Sequence, residues 1–122
     1  MALIASDSED RARQLLAASE RLIALISDET NLMRRREPLP LGPLAEEKAR
    51  LANIYRQEMM RIKSDPALMV GISPPLKARL RTTTEALQKH LREHELELAA
   101  AKEISEGIIQ AVALEASRTA PG

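Results

Sequence analysis

The strongest hint of chemistry in this sequence is the run His90-Leu91-Arg92-Glu93-His94, which fits the pattern H-x-x-E-H. Two histidines four residues apart share one face of a helix and can bind zinc, with the glutamate between them as a base. A catalytic zinc also needs a third protein ligand, a cleft and hydrogen bonds that orient its ligands. A small helical chain barely provides these, and His94 falls on an apolar stripe with Glu93 at its flank. No metal site and no cofactor are expected. Other catalytic arrangements are weaker still. Gly42, Gly71, Gly107 and Gly122 stand alone, so no glycine-rich loop can cradle a phosphate. No G-x-S-x-G context organises a nucleophilic serine. Paired carboxylates such as Glu46 with Glu47, or Glu95 with Glu97, read as solvated helix faces. Met59, Met60 and Met69 read as gap-fillers in packing. The chain is expected not to be an enzyme, with no catalytic residue.

Composition narrows the remaining classes. The chain has 122 residues, enough for one domain with a modest core. Hydrophobic residues make up 44% but aromatics only 1%, so the core must be built from Ala, Leu and Ile. A core nearly free of aromatic residues and valine, and rich in Ala and Leu, favours helix over sheet. Eighteen basic and eighteen acidic residues cancel, and stacking platforms are missing, so nucleic acid is not an expected partner. Without cysteine there is no disulfide framework and no thiol chemistry. No apolar run approaches the ~20 residues of a membrane span, and the first residues do not form a signal peptide. A cytoplasmic protein without membrane insertion is expected.

Prolines set out the elements that position everything else. Pro38, Pro40 and Pro43 cluster with Gly42, Pro66 stands alone, Pro74 and Pro75 follow Gly71, and Pro121 lies near the end. A proline inside a helix costs about 3 kcal/mol, so helices are expected between these marks. The first should run over about 7–36, opened by the capping spacing Ser6-x-x-Glu9 and closed by the basic run Arg34 to Arg36. The second should run over about 43–63, a short turn over about 66–70, and the third over about 74–117. The expected fold is all-α: an antiparallel hairpin plus a long third helix, a three-helix bundle of coiled-coil character with a projecting C-terminal segment, in a single domain.

Register can be tested by folding the first two helices about a point near residue 38.5, so that facing positions sum to roughly 77. Leu32 then faces Ala45, Ile26 faces Leu51, Leu22 faces Tyr55, Ala18 faces Met59, and Leu15 faces Ile62. The same mirror sets Glu29 opposite Lys48, an expected interhelical pair whose use would be to hold register. A second mirror lays helix three back along helix two, with Ile62 level with Leu76 and Leu51 level with Leu87. Beyond about Leu98 the third helix has no neighbour, yet Leu98, Ala101, Ile104, Ile108, Ile109, Val112 and Leu114 continue an apolar face. An apolar helix face with no partner in its own chain marks a binding or oligomer surface. Bending this segment back over Leu39 and Leu41 is the alternative within the chain, and a homodimer through helix three the alternative between chains.

At this point the pattern resembles a family. Leu22, Leu25, Glu29 and Leu32, then Glu47-Lys48-Ala49-Arg50-Leu51, then a long helix from Leu76 to Leu98 with an Ala-rich amphipathic tail, look like FlgN. These are bacterial export chaperones for the hook-associated proteins of the flagellum. The resemblance implies a cytoplasmic chaperone of type III export that holds the C-terminal helical segments of those proteins and prevents their premature assembly. It also implies contact with the flagellar export apparatus. Carried onto this chain, the cargo-binding residues would be Leu98, Ala101, Ile104, Ile108, Ile109 and Val112.

Overall fold

Each helix of the computed structural model, which describes residues 3, 5 and 7–119, begins where the local chemistry stabilises a helix start. The first helix, α1 (Ser8–Arg34), is capped by Asp7, whose extended backbone lets its carboxylate accept from Asp10 N at 2.7 Å. Ser6, the expected cap, lies outside the described residues. Glu9 is turned to another use: its Oε1 accepts from Ser73 N at 3.3 Å and ties the start of α1 to the start of the third helix. At the far end of α1, Arg36 adopts φ +56° while Glu37 N donates to Leu32 O and Arg36 N to Met33 O. This is a helix-ending motif that glycine usually supplies, so Arg36 holds a left-handed conformation at some cost.

The second helix, α2 (Pro43–Ser64), starts on Pro43 after Gly42 at φ +75°. A single 3-10 turn, Pro66–Met69, and Gly71 at φ +87° reverse the chain. The third helix, α3 (Pro74–Thr119), then runs without a break for 46 residues, about 69 Å at 1.5 Å per residue. Its last turns do not bend back over the proline-rich linker. Leu41 there stays 87% exposed.

The fold is all-α, a helical hairpin plus a longer third helix. The second mirror holds in level, since Ile62 joins the cluster of Leu76, and Leu51 that of Leu87. The backbones of α2 and α3 stay apart, however: among the described residues, the two helices make no Cα approach within 8 Å. Both pack on α1 instead. α2 runs antiparallel to it, and α3 runs parallel to it, as ion pairs from Glu20 to Arg79 and from Arg34 to Glu97 trace. The physical reason lies on both helices. α1 carries a wide buried band of Ala12, Leu15, Leu16, Ser19, Leu22 and Ile26, broad enough for two neighbours. The side of α2 turned toward α3 also bears Arg56 and Lys63, which direct packing would bury with no carboxylate lining the gap.

The core is two clusters strung along α1. At one end Ala12, Leu15 and Leu16 meet Ile72, Leu76 and Leu80, with Met59 and Ile62 packed against them. Further along, Leu22 and Ile26 meet Leu87, with Leu51, Ala52 and Tyr55 at the edge. Leu15 and Ile62 share the first cluster, and Leu22 and Ile26 share the second with Tyr55 and Leu51, as the register near 77 requires. Ser19 and Thr30 are buried but satisfied, each hydroxyl donating to the carbonyl four residues earlier, at 2.8 and 2.9 Å.

Candidate functional site

Because α2 and α3 both rest on α1 with no Cα of one within 8 Å of the other among the described residues, an open groove of about 760 Å³ runs between them. Its floor is Leu22 and Ile26 of α1. Its walls are Ala52, Tyr55, Met59 and Ile62 of α2 and Leu91 of α3. Tyr55, expected inside the hairpin, is only half-buried and spans the gap through a side-chain hydrogen bond with Thr84 of α3. Burial pushes its phenol above the ordinary value, against that hydrogen bond. The charged groups lining the groove are Lys48, Arg56 and Lys63, and no carboxylate lines it.

A polar cluster bounds one end. Glu29, with 6% of its side chain exposed, accepts from Lys48 Nζ at 2.8 Å and faces His94 Nε2 at 2.9 Å, both on Oε1. Against an ionised carboxylate the imidazole nitrogen must carry the proton. Sequence periodicity put His94 on the packed face of α3 but gave no sign of this contact, because residues 65 positions apart meet only through tertiary packing. His90 turns the other way, with Nδ1 3.9 Å from Glu93 Oε2. The two histidines thus face different carboxylates. Among the described residues no group of three or more His, Cys, Asp or Glu side chains could hold a metal ion.

Burial works against the charge of Glu29, but the hydrogen bonds and charges of Lys48 and His94 outweigh it and hold the carboxyl below its ordinary value of 4.5. A lowered folded-state value gives stability that is fully present above the unfolded value. It is lost as pH falls through the folded one. Urea unfolding of the native protein should therefore weaken relative to Glu29→Gln as pH drops below about 4.5. At neutral pH the substitution should cost about 1–3 kcal/mol, since it removes the charge that two part-buried donors face. Parallel pH profiles for the two proteins would refute this.

A second buried ion pair escaped the sequence altogether. Glu58 is fully buried, and its Oε2 accepts from Arg11 NH1 at 2.7 Å across the hairpin. Its Oε1 has no hydrogen-bond partner, with Arg61 NH1 at 3.6 Å. The signal available was helical spacing alone: Glu58 lies beside Met59 and one turn from Tyr55 and Ile62 on the packed side of α2.

The residues expected to bind cargo divide into two groups. Leu98, Ala101 and Ile104 form a smaller groove of about 470 Å³ with Met33, Leu39 and the ion pair of Arg34 with Glu97. Beyond them α3 projects free of α1 and α2. Ile108, Ile109 and Val112 are 60%, 67% and 63% exposed. Leu76, Leu80, Leu87, His94, Leu98, Ala101, Ile108 and Val112 follow one another at steps of three, four or seven residues. The exposed stripe is thus the same face of α3 that forms the core lower down. Gly107 interrupts this segment, with open space where a Cβ would be.

No helix of the described residues is long and apolar enough to cross a membrane. No family model matches the chain, and no solved structure matches it. It is similar to the flagellar basal-body protein FlbY of Caulobacter vibrioides, 35% identical over 123 aligned residues that cover 99% of this chain and 83% of the relative.

Proposed function

The chain belongs to the family of the flagellar basal-body protein FlbY, and from that premise we propose that it is a cytoplasmic, non-enzymatic helix-binding protein of flagellar assembly. It is a flagellum-related helical protein; what it holds, and where, is the proposal. The observation that carries it is the continuity of the α3 face. The same stripe that packs on α1 up to His94 runs on, exposed, through Val112. A helical segment of a flagellar component laid on that stripe would gain the kind of contact that α1 gives lower down. The resemblance to FlgN supplies the finer reading: an export chaperone whose cargo is the C-terminal segment of a hook-associated protein. Such segments are apolar because they later pack in an assembled structure, so a reversible cover in the cytoplasm keeps them soluble. Contact with the export apparatus belongs to the same reading.

The contact surface would be Leu98, Ala101, Ile104, Ile108, Ile109 and Val112, with Glu29 and Lys48 holding the register of the hairpin beneath it. Aliphatic contacts spread along a helix, without Trp or Tyr anchors, suit holding and release more than permanent capture. Co-expression of the full chain with tagged C-terminal segments of the organism's hook-associated proteins tests this. The native chain should co-purify, and Ile104→Asp/Ile108→Asp should lose at least tenfold of the captured segment while keeping its helical circular dichroism. Equal capture by both proteins would place the site elsewhere, and capture of a basal-body component alone would change the cargo.

A further inference from the structure

The chain contains a helix face without a groove and a groove without a helix. We infer that the groove between α2 and α3 is the seat for the projecting end of α3 from a second copy of this chain, in a reciprocal two-fold dimer. This goes beyond the reading above and does not rest on it: the occupant is the protein itself, which a flagellar helix would have to displace.

Length comes first. The groove's α2 wall runs over residues 48 to 63, about 24 Å at 1.5 Å per residue, and residues 108 to 119 of the projecting end, about 18 Å, fit within it. Direction follows from the topology. The projecting segment leaves the bundle at the end where α1 passes into α2. Two bundles set end to end about a two-fold axis near Ala101 would each send this segment along the other's groove, antiparallel to α3 there and parallel to α2. The small residues Ala99, Ala100 and Ala101 allow two helices to cross closely at that point. With His94 and Lys48 level through Glu29, this register sets Ile108 of one copy by His94 of the other. It sets Val112 by Ala52 and Leu91, and Glu115 level with Arg56.

Chemistry agrees with geometry. The groove floor and walls are aliphatic apart from Tyr55, and its lining charges are all cationic. The projecting segment offers an aliphatic stripe and, at the level of the groove, the carboxylate of Glu115, which lies 3.9 Å from Arg118 of its own helix and would come level with Arg56. Both contacts are identical under the two-fold, so the assembly closes at two copies and does not propagate into a filament.

Absence of cysteine makes the test clean. The purified full chain should sediment at twice its 13.5 kDa mass. Single-cysteine proteins Val112→Cys and Ala52→Cys, mixed and mildly oxidised, should give a crosslinked hetero-pair, while Val112→Cys alone should not link to itself. Arg56→Cys with Glu115→Cys, an exposed pair level in the same register, serves if Ala52→Cys fails to fold. A monomer at every concentration up to several hundred micromolar would overturn the inference. So would a dimer in which Val112→Cys links only to itself, which reports two projecting helices side by side. No flagellar component is present in this experiment, so its failure leaves the capture experiment above untouched, and the reverse holds as well.

Discussion

Leu87→Ala should lower the unfolding free energy by about 2–5 kcal/mol, the range for removing a large aliphatic side chain from a packed core. Leu87 has 0% of its surface exposed and sits where α3 meets Leu22 and Ile26 of α1. Its loss removes contact from the main interface of α3, because among the described residues α3 makes no close backbone approach to α2. Urea unfolding followed by circular dichroism measures it, with the loss expected in the main transition. The control is Leu114→Ala on the projecting segment, 64% exposed, which should stay within about 0.5 kcal/mol of native. Comparable losses in both proteins would mean that the projecting segment is packed in solution. That is the outcome expected at concentrations where the two-fold dimer forms, so the comparison belongs at low micromolar protein.

Arg11→Ala should be nearly as damaging, at about 3 kcal/mol or more, for a different reason. It strips the Glu58 carboxylate, 1% exposed at the side chain, of its 2.7 Å partner and leaves only Arg61 at 3.6 Å. The cost is that of a buried charge left uncompensated, not the net worth of the pair. Replacing both groups by apolar ones, as in Arg11→Met/Glu58→Leu, should therefore restore most of the stability lost in the single variant. A double variant as unstable as Arg11→Ala would show that the pair contributes more than the desolvation it costs.

The pair of Arg11 with Glu58 also shows why parts of this protein were hidden in its sequence. A glutamate at helical spacing from Tyr55 and Ile62 reads as a flank residue, because long charged side chains usually reach water from such positions. What buries Glu58 is an arginine 47 residues away on another helix. Glu29 with Lys48 was more legible, since both interrupt apolar stripes at positions that a hairpin mirror brings together. His94 lies between these cases: its face of α3 follows from the stripe, and its partner does not.

Taken alone, the sequence determined the elements. Proline cannot sit inside a helix, so Pro43 and Pro74 mark where helices start, and the aliphatic composition excludes most alternatives to helix. The same arithmetic makes α3 longer than the hairpin, so a projecting apolar segment follows from lengths alone. Tertiary structure decided which faces meet. Periodicity says that a helix has a buried side but not which neighbour buries it. A wide stripe on α1 and a cationic edge on α2 sent α3 to α1 and left the groove open. That choice turns on the cost of burying Arg56 and Lys63, which depends on what else surrounds them and so exists only once the helices are packed.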